Sequence, residues 1–378
     1  MISTNLIAAS LGLWLATASV AAALEGSSPP AAAPASCLNH LRQQLEHARP
    51  DYGSAVLILM DGGKITAVES FGQPQANTPQ STTGAESRFI MASVSKLMTA
   101  WGILHLVEQG KLDLEAPVMT YLRRWQFPPS PYRDRVTLRH LLSHTGGLED
   151  GFGYAGFLPQ QQVQTLLESL NRTEDVVSGK PRGVTVRRPP GKRWRYSGGG
   201  YAVLQLVIEE ITGQPFATFM QAQVLEPLGM THASFDVTTL PTATLATSYN
   251  DRQQPDLPRR YAAPAAAALY ATPKDLQRWL QAFARPNPVL SAASLQQMAT
   301  PQPGTRNRWG LGPALYGKTA SGAYIWGHDG INLPAFGHTL RFNPVTGNGM
   351  IILVSGNTHL AAKLAEQWVR AEQGCACP

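Results

Sequence analysis

The sequence predicts an α/β protein of the α+β type, in which both chain ends form one antiparallel sheet that is flanked by helices and interrupted by a mostly helical subdomain. Apolar and β-branched residues at 55–60 and 64–71 have the pattern of a β-hairpin. Strand patterns return only near the C-terminal end, and the stretch between has the periodicity of helices. We therefore place the sheet subdomain at about 37–90 and 305–378, and the helical subdomain at about 91–304.

The first 23 residues have the pattern of a secretory signal peptide. They contain no charged side chain, are apolar in the middle and end in Ala21-Ala22-Ala23, a small-residue cleavage pattern. We expect export to the periplasm or the medium, with an uncleaved N-terminal membrane anchor as the alternative. Residues 24–36, rich in Ala, Pro and Ser, are interpreted as a flexible linker, which leaves 37–378 as the folded domain.

The folded domain is predicted to open with a helix and the hairpin. A leucine stripe indicates an amphipathic helix at 37–48. The two hairpin strands flank the sequence Asp-Gly-Gly at 61–63, whose glycines supply the positive φ angles of a tight turn. A helix then follows at 93–109, and because it is apolar on nearly all sides we expect it to be buried.

The rest of the chain is predicted as helices followed by a meander. Short helices are expected at 114–122 and 136–143, and the pair Gly146-Gly147 is typical of a helix stop. Thr272 and Pro273 have the pattern of a helix start. The later elements are helices at 201–212, 216–225, 276–283 and 358–372, and strands at 310–316, 324–327, 335–342 and 350–354.

Charge and cysteine content limit the possible partners. The net charge is +6, and seven basic residues but no acidic one lie between Lys180 and Arg195. Such a segment is a solvated loop or a rim that attracts an anionic substrate or a cell-envelope polymer. Nucleic acid is not expected, because no recognition motif accompanies the charge. Neither a metal nor another cofactor is expected, and one disulfide could join Cys37 to Cys375 or Cys377.

Ser93 and Lys96 form a candidate catalytic pair. They stand three positions apart in SVSK, so on a helix they share one face, with the ammonium beside the hydroxyl. A helix N-cap serine followed by a solvated lysine has the same spacing. The buried helix would hold the pair rigidly, which favours a nucleophile with its base over a cap.

Two later motifs carry a resemblance. Tyr196 precedes Ser197 and three glycines in PPGKRWRYSGGGY, and His328 lies in WGHDG. In order, SVSK, LLSHTGGL, PPGKRWRYSGGGY and GHDG followed by FNPVTGNGMIILVSGN resemble the serine β-lactamase-like family, nearest to class C β-lactamases, their DD-peptidase relatives and the esterases of that fold. The resemblance covers roughly residues 37–372 and implies a β-lactamase/transpeptidase-like fold.

The resemblance also implies roles for the matched residues. Ser93 would be the nucleophile that forms an acyl-enzyme. Lys96 would lower the proton affinity of Ser93 and Tyr196, and Tyr196 would act as base or proton relay where cations favour its phenolate. The amides of Ser93 and Ile331 would form the oxyanion hole. His144 is interpreted as structural.

The substrate-cleft residues depart from the lactamase pattern. His328, the fourth candidate catalytic residue, and Gly330 match the strand motif that borders the cleft, but His328 stands where lactamases have lysine. Gly198 stands where they have the asparagine that holds the substrate amide. Both changes remove polar contacts suited to a β-lactam or a peptide carboxylate, although His328 and the basic segment could partly replace the second.

These features predict an exported serine hydrolase that cleaves an ester or amide through an acyl-enzyme on Ser93, as a carboxylesterase or a peptidase-like enzyme. Its partner would be a small ester, amide or peptide, with an anionic substrate as one option. A class C-type β-lactamase or penicillin-binding DD-peptidase is the first alternative. A non-catalytic module that binds the cell envelope through the basic segment is the second.

Overall fold

The structure is a computed structural model, and its described part has gaps. It comprises residues 35–48, 53–72, 86–150, 156–174, 181–249, 255–256, 259–332 and 336–375, all of which belong to one compact unit. The predicted signal peptide at 1–23 and the first eleven residues of the predicted linker lie outside the described residues. The division into sheet and helical subdomains stays a prediction.

Both chain ends contribute to one six-stranded antiparallel sheet, as predicted. Its strand order is β11-β12-β13-β14-β1-β2, so the first strand lies beside the last one. The strands in chain order are β1 (Ser54–Asp61), β2 (Lys64–Phe71), β3 (Phe89–Ile90), β4 (Leu148–Glu149), β5 (Thr173–Glu174), β6 (Pro181–Arg182), β7 (Thr185–Val186), β8 (Ser248–Tyr249), β9 (Pro255–Asp256), β10 (Tyr270–Ala271), β11 (Ala314–Lys318), β12 (Tyr324–Asn332), β13 (Phe336–Asn343) and β14 (Asn348–Ser355).

The sheet is covered by helices on both faces. Alternate residues of β1 enter two hydrophobic clusters, one packed against the terminal helices and the other against the central ones. Strand β1 is therefore apolar nearly throughout rather than alternating. The helices are α1 (Ala35–His47), α2 (Val94–Glu108), α3 (Leu138–Leu142), α4 (Leu166–Asn171), α5 (Gly198–Thr212), α6 (Phe216–Met220), α7 (Pro273–Ala284), α8 (Ala292–Met298) and α9 (Leu360–Glu372).

The helix predicted at 93–109 is α2, and it is buried along most of its length. It packs between strands β12 and β13 on one side and α5 on the other. Ala92, immediately before it, has a positive φ of 47°, a left-handed conformation that costs energy for a residue with a Cβ. This sharp turn brings the chain from β3 into the helix and presents Ser93 at the first turn.

The central segments differ from the prediction in length. The helix expected at 114–122 is only a 3₁₀ turn at Val118–Thr120, and the one expected at 216–225 changes from α to π geometry at Gln221–Leu225. Helix α3 ends at Leu142, because His144 already adopts a left-handed φ of 57°. Gly147 is therefore not its stop; a Cβ there would overlap the carbonyl oxygen of Arg188.

The predicted disulfide and the alternative of a membrane anchor both involve residues that lie outside the described part of the structure. The thiol of Cys375 is free and exposed, so a disulfide between Cys37 and Cys375 is not formed. Cys377 and the side chain of Cys37 lie outside what is described. A search of the described helices finds none with the length and apolar character needed to cross a membrane.

Candidate active site

Ser93 and Lys96 meet at the start of α2, as the spacing predicts. The Nζ atom of Lys96 lies 3.2 Å from the Oγ atom of Ser93 and donates a 2.7 Å hydrogen bond to the carbonyl oxygen of Ala266. Ser93 occupies the N-cap position, yet its side chain makes no capping hydrogen bond. The hydroxyl is therefore available for chemistry, and the interpretation of Ser93 as a helix cap is not supported.

Burial changes the protonation of Lys96. Its side chain is 2% exposed, and desolvation lowers its pKa to about 7, although the negative charge of Asp150 acts in the opposite direction. The partners nearest its Nζ atom are neutral: the Ala266 carbonyl and the rings of Tyr196 and Tyr201, whose centroids lie at 4.9 and 5.7 Å. Near neutral pH a large share of Lys96 is thus an uncharged amine that can accept a proton.

Tyr196 is also hydrogen-bonded to the Ser93 hydroxyl. Burial raises the pKa of Tyr196, and a hydrogen bond with Ser93 lowers it by less. The phenol is consequently protonated at neutral pH, which disfavours the phenolate base that the resemblance allowed. A protonated phenol that is hydrogen-bonded to Ser93 and whose ring lies 4.9 Å from the Nζ atom of Lys96 is suited to pass a proton on.

The ring of His144 packs against the ring of Tyr196. Its ring centroid lies 4.4 Å from that of Tyr196, and its Nδ1 atom accepts a 3.1 Å hydrogen bond from the amide of Ser197. Burial, followed by the positive charge of Lys96, lowers the pKa of His144 well below its usual value. A neutral ring whose Nδ1 accepts must carry its proton on Nε2, so this nitrogen is a donor.

Asp150 belongs to the site although the sequence did not indicate it. Its carboxylate is buried and accepts hydrogen bonds from the Ser197 hydroxyl, at 2.7 Å, and from the amide of Gly199. Ser197 in turn caps α5, where a negative charge is stabilised by the helix dipole. Burial raises the pKa of Asp150 to about 6. The residue ties the LSHTGGL segment to the turn that carries Tyr196.

His328 joins the same aromatic cluster but is not a cation. Its Nδ1 atom lies 2.6 Å from the carbonyl oxygen of Asp329, and because a carbonyl only accepts, Nδ1 must carry the proton. Its Nε2 atom is buried without a hydrogen-bond partner among the described residues. Burial lowers the pKa of His328 to about 4. The expectation that His328 partly replaces a lysine as a carboxylate partner stays a prediction, and a neutral imidazole does not favour it.

Strand β12 runs directly past the start of α2. A Cβ at Gly330 would overlap the carbonyl oxygen of Met91, so only glycine permits this approach. Ile331, the next residue, is exposed. On the opposite face of the strand, Asp329 binds the buried Arg341 at 2.8 Å and accepts a 2.9 Å hydrogen bond from Tyr316. These contacts hold the strand rigidly beside Ser93; the oxyanion role of Ser93 and Ile331 amides stays a prediction.

Gly198 is the first residue of α5 and is buried, so it offers the cleft no side chain. The structure thus brings Ser93, Lys96, Tyr196 and His328 together. Within the described part of the chain, no group of three or more His, Cys, Asp or Glu side chains is arranged to hold a metal ion.

Known proteins are similar to this chain over most of its length. The family model described as Beta-lactamase matches residues 42–373. The chain is 28% identical over 321 residues to the protein named "Putative penicillin-binding protein PbpX" of Bacillus subtilis (strain 168), an alignment that covers 83% of this chain and 73% of that protein.

Solved structures show the same fold. The chain is similar to a β-lactamase/D-alanine carboxypeptidase from Yersinia pestis, solved with citrate, at 21% identity and a TM-score of 0.69, covering 90% of this chain and 98% of that one. It is also similar to EstCE1, described as a hydrolase with promiscuous acyltransferase activity, at 20% identity and a TM-score of 0.71, covering 90% and 99%. The predicted β-lactamase/transpeptidase-like fold is confirmed.

Proposed function

Because the chain belongs to the Beta-lactamase family and is one of its serine hydrolases, we propose that it cleaves an ester or amide bond through an acyl-enzyme on Ser93. One observation carries the proposal: a serine hydroxyl that caps nothing lies 3.2 Å from a buried lysine whose pKa is lowered to about 7. A nucleophile beside a group that accepts protons at neutral pH is what acyl transfer requires.

The first half-reaction follows from the protonation states. The Oγ atom of Ser93 attacks the substrate carbonyl carbon while the neutral amine of Lys96 takes the hydroxyl proton. The bond to the leaving group then breaks, and the leaving oxygen or nitrogen receives a proton from the Tyr196 hydroxyl. Lys96 passes the proton that it took from Ser93 to Tyr196, which restores the phenol. The amides of Ser93 and Ile331 would bind the oxyanion, a contribution of about 3 kcal/mol in comparable sites. Water hydrolyses the acyl-enzyme by the same relay in reverse.

We expect a characteristic pH dependence. Lys96 must be deprotonated to accept the Ser93 proton, so kcat/KM should rise about tenfold per pH unit below pH 7 and level off above it. His328 is neutral above about pH 4 and should add no step between pH 5 and 8. The measurement is kcat/KM for a nitrophenyl ester from pH 5 to 9; a profile that is flat across pH 7 would contradict the role of Lys96.

A parallel substrate screen tests the proposed function. We expect hydrolysis of short-chain nitrophenyl esters, and a fluorophosphonate should add its mass to the peptide that contains Ser93. A chromogenic cephalosporin should remain intact, because Gly198 and the neutral His328 offer no amide or cationic contact to a β-lactam. Absence of both ester hydrolysis and labelling would refute the proposal.

A penicillin-binding DD-peptidase is the second candidate, favoured by the similarity to the penicillin-binding relative. Release of D-alanine from D-Ala-D-Ala peptides, together with a stable penicillin adduct, would establish it in place of an esterase.

Export, to the periplasm or the medium, is proposed from the pattern of residues 1–23 alone. N-terminal sequencing of the protein from a culture medium or periplasmic extract tests the cleavage after Ala22 or Ala23.

A further inference from the structure

A wide groove lies beside the candidate active site. Its volume is about 1360 Å³, above the usual range of about 300–1,000 Å³ for small-molecule sites. The lining residues include four cations and two indoles but no acidic residue: Lys192, Arg193, Trp194, Arg306, Arg308 and Trp309. The groove is therefore large enough for a chain of several residues, and its charge has one sign.

Two loops from distant parts of the chain form this groove and are held together. The amide of Trp194 donates a 3.0 Å hydrogen bond to the carbonyl oxygen of Gly304, and Gly304 approaches the backbone of Gly191 so closely that a Cβ would lie 2.5 Å from its carbonyl oxygen. Arg306 and the following residue both have positive φ angles, 55° and 60°. This costly turn directs the second loop against the first, so cations from both face one groove.

The cations of the groove are exposed and available. None of the four makes an ion pair with a described residue. This contrasts with Arg124, which binds Glu209 and Glu210, and with Arg341, which binds Asp329. A concave surface of uncompensated positive charge concentrates anions, and guanidinium groups bind carboxylates in a bidentate manner.

The groove continues into the site through aromatic rings. Trp194 and Trp309 have centroids 5.4 Å apart, and the Trp309 ring lies 5.9 Å from Tyr196 and 5.4 Å from His328. A substrate whose carbonyl lies at Ser93 can therefore extend over Trp309 into the groove. Asn307 adds an exposed amide that can both donate and accept, which matches a peptide group.

From these observations we propose that the groove is a subsite for an acidic peptide portion of the substrate, in which side-chain carboxylates bind the arginines and lysine while the reacting bond lies at Ser93. The inference rests on the proposed function for the location of the reacting bond. In this arrangement the cationic contacts to the substrate come from the groove.

Binding of blocked peptides to Ser93→Ala tests the subsite without any hydrolysis. Acetylated and amidated tetraglutamate should quench tryptophan fluorescence saturably at low salt, and tetraglutamine should not. The double variant Arg306→Gln/Arg308→Gln should weaken tetraglutamate binding about tenfold, since it removes two guanidinium–carboxylate pairs. Arg123→Gln/Arg135→Gln removes the same charge from exposed positions outside the groove and should leave binding unchanged.

Equal affinity for the two peptides, or equal weakening by both double variants, would overturn the subsite. Stronger binding of oligogalacturonate than of tetraglutamate would overturn the peptide assignment in favour of an acidic glycan. Hydrolysis of nitrophenyl acetate should be the same in the wild type and the Arg123→Gln/Arg135→Gln variant, whose changed residues lie outside the groove. Peptide binding without any ester hydrolysis by the wild type would leave the groove intact and refute the proposed function instead.

Discussion

Ser93→Ala is expected to lower kcat for ester hydrolysis by a factor of at least about 10⁴, because no acyl-enzyme can form without the hydroxyl. The fold should be unaffected, since the Ser93 side chain makes no capping hydrogen bond to α2. We therefore expect the same midpoint of thermal unfolding as in the wild type, no fluorophosphonate adduct and no turnover. Steady-state kinetics, mass spectrometry and a thermal melt of the same sample measure all three.

Ser291→Ala is the matched control for this change. The Ser291 hydroxyl accepts a hydrogen bond from the amide of Ser294 at the start of α8 and donates one of 2.6 Å to Glu108. Its loss should cost about 1 kcal/mol of stability and leave kcat unchanged. The two serines should thus have opposite phenotypes. Retention of more than a few per cent of activity by Ser93→Ala would assign the nucleophile to another residue.

Lys96→Met is expected to lower kcat/KM by about 10³, in the range of a general base, and to leave the protein at least as stable as the wild type at pH 7. The side chain is buried against neutral groups, so the wild type bears the cost of desolvating an amine that methionine does not have. An increase in stability together with a loss of activity would be typical of a functional site. Lys111→Met, an exposed lysine just beyond α2, should change neither property.

The pH dependence of the free energy of unfolding gives a second measure of the protonation state of Lys96 in the folded protein. Its pKa is lowered from 10.5 to about 7 in the folded state, so between these pH values the unfolded chain binds a proton that the folded chain does not. The free energy of unfolding of the wild type, relative to Lys96→Met, should therefore rise with pH from about 7 to about 10. Denaturant titrations at several pH values measure this difference. A constant difference over that range would mean that Lys96 is charged in the folded protein.

Regular elements with strong local signals could be predicted from the sequence. The hairpin, the buried helix after Ser93 and the helix after Thr272 have nearly the predicted bounds, because hydrophobic periodicity, glycine turns and capping are local properties. The segments at 114–122 and 136–143 were less predictable. There the chain forms only short turns of helix: α3 packs against α5, and the 3₁₀ turn at Val118–Thr120 packs against the one at Arg133–Arg135.

The motifs of the site could be predicted from the sequence, but the residues that hold these motifs in place could not. Asp150 has no sequence signal of its own, and its place beneath Ser197 and Gly199 depends on two loops that meet only in the fold. The groove beside Trp309 has the same origin, since its cations come from loops more than a hundred residues apart. Seven basic residues in one segment indicated a positive surface, but not the second loop that makes it concave.

The sequence by itself determined the order of the motifs, the joining of both chain ends in one sheet and the placement of Ser93 and Lys96 on one helix face. These follow from spacing and periodicity along the chain. Only the tertiary structure decided the protonation states on which the chemistry depends. Lys96 is bound by a carbonyl 170 residues away, and His328 is buried among aromatic rings from other segments. The charge of a side chain depends on how water is excluded from it, and that exclusion is a property of the assembled fold.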